Sequence, residues 1–169
     1  MDTLNAIRKR CSIRRYNPRS VPRRLIEKVV EAGRLAPTAW AIQPWEFIAV
    51  TDSEVRTKIA DMTDYGKFIK KAPVCIAVFC KDTQFYLEDG CAATENMLIA
   101  ATALGLGTCW VAGDKKGYAE SVRRILKLPT AYKLVSLIPV GYPEWRPGLK
   151  RKRALRNLLH WETYGSTHT

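Results

Sequence analysis

PVCIAVFC at residues 73–80 and DGCAATENMLIAATAL at residues 89–104 decide what kind of fold this chain takes. The first is apolar at every position and of strand length, which predicts a strand covered on both faces. The second carries Ala, Cys, Met, Leu and Ile on nearly every side of a helix. Such a helix must be covered all round, by a large core or at a subunit interface. Gly105 and Gly107 suit its termination. Toward the C-terminus, residues 108–111 read as a strand, 118–126 as an amphipathic helix, 134–140 as a strand and 154–159 as a short helix before a polar tail. Toward the N-terminus, residues 46–50 read as a strand, and Thr51-Asp52-Ser53-Glu54 matches a capping box opening a helix toward Met62. Upstream, Ser20 is placed to cap a helix with Pro22 in its first turn and Leu25, Ile26, Val29, Val30, Gly33 and Leu35 as its apolar stripe, ended by Pro37. Leu4, Ile7 and Cys11 share one helical face, and residues 12–18 form a loop closed by Pro18.

Alternating strands and helices could suggest a parallel, doubly wound sheet. No G-x-G-x-x-G follows the first strand, however. The one G-x-G, Gly105-Leu106-Gly107, comes after a helix and before a strand and is given a purely structural reading.

At 169 residues and 47% hydrophobic side chains, residues 1–169 are expected to form one domain with a full core. The longest nearly apolar stretch, Met97 to Leu106, falls well short of the roughly 20 residues a membrane helix needs, so no membrane partner is expected. The first residues, MDTLN, resemble no secretory signal, which points to the cytoplasm. Five dispersed cysteines without a C-x-x-C pair indicate neither a disulfide framework nor a zinc site. Two histidines, His160 and His168, are too few for an ordinary catalytic metal site, so an enzyme built on this chain would rely on a cofactor and no metal. The net charge of +12 invites a nucleic-acid reading. Its distribution argues otherwise: eight basic residues lie within the first 24 and six between Arg146 and Arg156, around an apolar middle with no nucleic-acid motif. No nucleic-acid partner is expected.

Two segments carry the chemistry. In Arg10-Cys11-Ser12-Ile13-Arg14-Arg15-Tyr16, an extended backbone would aim Arg10, Ser12 and Arg14 to one side as a phosphate clamp; a basic, solvated loop is the plainer alternative. Pro37-Thr38-Ala39-Trp40-Ala41-Ile42-Gln43-Pro44-Trp45 makes a rigid, aromatic, polar-edged surface at a strand entrance, or a surface loop whose tryptophans pack on the core.

Together these segments resemble the nitroreductase family of flavoproteins, whose R-x-S-x-R-x-[FY] segment, P-[ST]-x-x-N-x-Q-P-W loop and C-terminal basic segment occur here in that order. The resemblance runs from Arg10 to Trp161 and includes ALGLGTCW at the end of the alanine-rich helix and LRNLLHW at 155–161. It implies an α+β fold, a three-layer sandwich of a mostly antiparallel sheet flanked by helices, and a homodimer with FMN at the subunit interface. The apolar helix around residues 97–104 is what such a dimer would bury. By the same resemblance the clamp motif, with Arg10, Cys11, Ser12 and Arg14, meets Lys150 and Lys152 around the FMN phosphate, with the choice among Lys150, Arg151, Lys152 and Arg153 left open. Pro37, Thr38 and Ala39 lie along the flavin, and the backbone of Ala112 and Gly113 lies beside its hydride-accepting nitrogen; read without the family, Ala112-Gly113 is an ordinary turn. Within the clamp, Cys11 is read as a small apolar filler rather than a reactive thiol.

The implied activity is ping-pong hydride transfer from NADH or NADPH to a small-molecule acceptor such as a nitroaromatic, quinone or flavin, needing no acid-base dyad. Two departures stand out: the family's loop asparagine is Ala41, and the acidic residue common before Gly113 is Ala112. Little chain lies between Cys80 and Asp89 to narrow the site, which predicts an open one. The alternatives are a specialised relative that dehalogenates a substrate or consumes its own flavin, and, from another class, a basic nucleic-acid-binding domain.

Overall fold

The computed structural model describes residues 1–148 and 151–166. Five strands form one sheet: β1 (Trp45–Val50), β2 (Val74–Lys81), β3 (Gly107–Thr108), β4 (Val111–Ala112) and β5 (Tyr132–Gly141). The order is β1-β2-β5-β3, with β4 also paired to β5. Every pairing among these five strands is antiparallel, so the sheet is not doubly wound and the α+β architecture holds. The helices are α1 (Thr3–Lys9), α2 (Arg23–Arg34), α3 (Ser53–Met62), α4 (Tyr86–Ala103) and α5 (Ala119–Ile125).

The all-apolar pattern of residues 73–80 is explained by the layers. Ile76, Val78 and Cys80 pack with α2 and α4 residues, including Ile26, Val29, Ala93 and Met97. Cys75, Ala77 and Phe79 face the other way, onto Ile59 and Ala60 of α3 and Val122 of α5. Period-two alternation thus feeds two cores, each large side chain contributing about 1.5–3 kcal/mol by leaving water. A bulge interrupts the β2–β5 ladder: Val78 faces Ser136 but Phe79 faces Leu134, so Val135 is the extra residue. Ser136 then meets Thr94 of α4, their hydroxyls 2.8 Å apart in a fully buried pair.

Several local expectations are corrected. Pro22, not Ser20, occupies the N-cap position of α2, and no side chain caps that end. Asp52 rather than Thr51 caps α3, its carboxylate accepting from the Val55 N–H at 2.9 Å. The strand expected at 108–111 breaks at Cys109 and Trp110 into β3 and β4. Residues 154–159 make only one exposed 3-10 turn, Leu155–Asn157, with no apolar face packed beneath it. The apolar face of α1 is not packed either: Leu4 is 65% exposed and Ile7 48%, while Ala6 alone is buried. Met97, Leu98 and Ala101 of α4 are covered by the chain's own α1, α2 and sheet, while Ile99, Ala100 and Leu104 are only partly buried and Ala103 is exposed.

Candidate functional site

The clamp segment is held as an extra edge to the sheet. Ile13 and Tyr16 point inward, and the Ile13 N–H donates to the Thr108 carbonyl at 2.8 Å. The buried Tyr16 hydroxyl donates to the Ile13 carbonyl at 2.6 Å, with the Pro139 carbonyl 3.3 Å away, and burial pushes its pKa well above the ordinary tyrosine value. Gly107 permits the close approach, since a Cβ there would sit 2.8 Å from Ile13 Cγ1. Gly105, at φ 81°, ends α4 just before it. The G-x-G is therefore structural, as its position implied, but it serves the clamp.

With Ile13 inside, Ser12 interacts with the buried Cys109, and the charges of Arg10 and Arg14 reach it. Burial raises that thiol's pKa, while the charge of Arg14, a hydrogen bond with Ser12 and the charge of Arg10 pull against the rise. Arg10 is also 3.6 Å from Glu95 of α4. Arg14 stands 5.8 Å over the Phe68 ring and, among the described residues, has no carboxylate partner. Cys11 turns away: it lines a separate cleft of about 630 Å³ with Lys9, Thr102 and Arg146. Lys152 is exposed, and Lys150 lies outside the described residues.

Beside the clamp opens a cleft of about 420 Å³, within the usual size of a small-molecule site. Arg14 and Lys116 supply its cations; Tyr65, Phe68 and Trp110 supply flat walls; Ala112 forms part of its floor. Of the Ala112-Gly113 pair, Ala112 is the residue facing the cleft. Gly113 is committed to the sheet: its N–H donates to the Val135 carbonyl at 3.0 Å, and a Cβ on it would lie 2.5 Å from Leu134 Cγ. The Tyr118 hydroxyl donates to the Ala112 carbonyl and fixes that peptide at the bulge. Just beyond, the Tyr86 hydroxyl donates to Asp114 at 2.5 Å, and this bond leads in pushing the tyrosine's pKa up to about 12.

The 37–45 segment does not line this cleft. It packs at the N-terminal end of α4, where buried Asp89 accepts from the Ala39 N–H at 2.9 Å and from the Thr38 hydroxyl at 3.1 Å. Trp40, Ala41 and Gln43 all take left-handed backbone conformations, with φ of 51°, 56° and 51°. Each costs about 1–3 kcal/mol outside glycine, so the surroundings must impose it. Pro37 is exposed and Trp40 is 72% exposed, the latter's ring edge-on to Phe85 at 5.2 Å. One chain therefore carries two partial surfaces: the clamp with its cleft, and the strained loop.

Sequence reasoning missed the cleft's remaining walls. Tyr65, Phe68, Lys116 and Tyr118 come from separate segments and carry no local signal. Asp89 did carry one, as an acid opening an otherwise apolar helix. The donor set suits FMN: an unpaired guanidinium and a hydroxyl for a phosphate dianion, with aromatic walls of the right kind for a flat tricyclic ring.

The family model matching residues 7–73 and 63–142 is that of the Nitroreductase family. A protein of Methanothermobacter thermautotrophicus described as "Putative NADH dehydrogenase/NAD(P)H nitroreductase" is 39% identical over 156 residues, covering 89% of this chain and 82% of its own. A solved structure of the same description from Parabacteroides distasonis matches with a TM-score of 0.91 at 32% identity, over 96% of this chain and 98% of that one. An FMN-dependent nitroreductase from Clostridium difficile R20291 matches at 0.90 and 26% identity, over 95% and 99%. Motif order, antiparallel three-layer fold and these likenesses agree, and the chain belongs to the nitroreductase family.

Proposed function

We propose that this protein is an FMN-dependent oxidoreductase that takes hydride from NADH or NADPH and reduces a small acceptor such as a nitroaromatic, quinone or flavin in a ping-pong cycle. The observation that carries the reading is Arg14, with no carboxylate partner among the described residues, in an aromatic cleft that Ala112 also lines. FMN, when bound, supplies the chemistry, accepting hydride from the nicotinamide and releasing electrons to the acceptor.

The chain's residues bind, orient and shield. Arg14 and Ser12 take the phosphate, with Arg10, which is shared with Glu95 at 3.6 Å, and the basic 150–153 segment adding positive charge. Each charge-assisted bond is worth about 1.5–3 kcal/mol. Phe68 and Trp110 shield the ring's surroundings, with Tyr65 at the exposed rim, and the Ala112 peptide, fixed by Tyr118, offers a rigid polar edge. Pro37, Thr38 and Ala39 flank the flavin from the second surface. Because one chain does not join the two surfaces, the assembly we propose is a homodimer in which the loop of one copy closes the cleft of the other. The exposed Leu4, Ile7, Trp145, Leu155 and Leu158 are apolar area for that contact.

The visible spectrum of the purified protein, taken before and after anaerobic addition of NADH and then NADPH, tests the reading. A flavin spectrum that bleaches supports it and names the donor; a colourless protein that cannot be reconstituted with FMN overturns it.

A further inference from the structure

Asp89 is 5% exposed, yet its carboxylate is spent on a loop some 50 residues away. One oxygen accepts from the Ala39 N–H at 2.9 Å and the other from the Thr38 hydroxyl at 3.1 Å. That hydroxyl in turn accepts from the Gln43 N–H at 3.1 Å, tying the loop's two ends together. Between these bonds lie all three of the loop's left-handed non-glycine residues, Trp40, Ala41 and Gln43. Phe85, the N-cap residue of α4 four positions before Asp89, holds the Trp40 ring edge-on. The start of α4 thus grips the loop twice, once with charge from Asp89 and once with the aromatic edge of its N-cap Phe85. A side chain that only completed a core would not need two loop donors, and a loop that only covered the surface would relax out of its strained backbone.

We propose that Asp89 is a positioning residue for cofactor binding: through Thr38 and Ala39 it locks the 38–43 loop in the conformation that flanks the flavin. The proposal rests on the reading that Pro37, Thr38 and Ala39 lie along FMN. Asp89 touches neither flavin nor acceptor and acts only by removing the loop's freedom before the ligand arrives.

The test combines amide hydrogen exchange with FMN titration on wild type, Asp89→Leu, Asp89→Asn and Thr38→Val. In Asp89→Leu the Ala39 and Gln43 amides are expected to exchange on the order of tenfold faster while the β2 amides are unchanged. The Kd for FMN is expected to rise on the order of tenfold. Asp89→Asn still accepts from Ala39 and should fall between wild type and Asp89→Leu. Thr38→Val should reproduce the Gln43 effect and add little on top of Asp89→Leu, because the two act through one relay. If Asp89→Leu does not fold, Asp89→Asn and Thr38→Val carry the same readouts. Unchanged amide protection, or an unchanged FMN Kd in a loosened loop, overturns the proposal. If wild type itself binds no FMN, the functional reading falls and takes the cofactor role with it, though faster exchange would still be seen. If wild type binds FMN and the variants bind it equally, only this proposal falls.

Discussion

Arg14 is the cation in the clamp with the least to do in the protein itself: a ring beneath it and, among the described residues, no carboxylate beside it. Arg10, by contrast, is shared with Glu95. Arg14→Ala is therefore expected to weaken FMN binding by about tenfold to a hundredfold, one charge-assisted contact, without lowering the apoprotein's Tm. Flavin fluorescence titration against differential scanning calorimetry checks both halves. The thiols divide as sharply. Burial raises the pKa of Cys75 and of Cys80 to about 12 and also raises those of buried Cys109 and of Cys91, while Cys11 and Cys91 are only partly buried. Native protein should react with a thiol reagent first at Cys11, more slowly at Cys91, and at the other three only after denaturation. Tyr86 carries a pH signature. Its folded pKa, about 12, lies above the ordinary 10, so the fold favours the protonated hydroxyl. That contribution is complete below pH 10 and is lost as pH rises through 12. The stability gap between wild type and Tyr86→Phe should accordingly shrink from pH 9 to pH 12 in urea titrations; a constant gap would remove the bond to Asp114 from the account.

Among the elements, those whose composition follows directly from burial were legible in the sequence. β2 is apolar throughout because both faces are covered, and α4 is apolar where helices and sheet cover Ala93, Met97, Leu98 and Ala101. What the pattern could not show was who covers them: Met97, Leu98 and Ala101 look like an interface by composition and are intramolecular core by topology. Caps were misplaced by one or two residues because Ser20, Thr51 and Asp52 all belong to the set that can cap, and only backbone geometry selects among them. The break at Cys109-Trp110 follows from pairing: β3 and β4 meet different stretches of β5, Gly141 and Val140 for one, Leu137 and Ser136 for the other. The clamp's alternation was readable; its dependence on Gly107 was not, because that glycine faces Ile13, 94 positions earlier. Gly107→Ala should push Ile13 off the sheet edge, destabilise the protein by about 1–3 kcal/mol and reduce flavin occupancy together, measured by urea unfolding and by the ratio of flavin to protein absorbance.

The whole molecule has a feature that neither sequence motif nor element explains alone, exposed apolar side chains on α1 and on the chain after β5. Closed two-fold pairing would cover them and join the strained loop of one copy to the cleft of the other. Sedimentation equilibrium should give twice the chain mass of 19.1 kDa, and Leu4→Glu with Ile7→Glu should shift it toward one copy and release flavin as it does so. A monomer at micromolar concentration that retains flavin would refute the shared site.

One hydrogen bond described above, from the Ile13 amide to the Thr108 carbonyl, also bears on the order of assembly. It closes a loop of nearly a hundred residues, and the two cores on either side of the sheet do not depend on it. Loop-closure entropy defers such a contact until the rest of the sheet is in place. The sheet edge carrying Ser12 and Arg14 should then dock last in refolding and fray first on warming, so that exchange of flavin with solution would proceed through a frayed N-terminal edge rather than through unfolding of the chain.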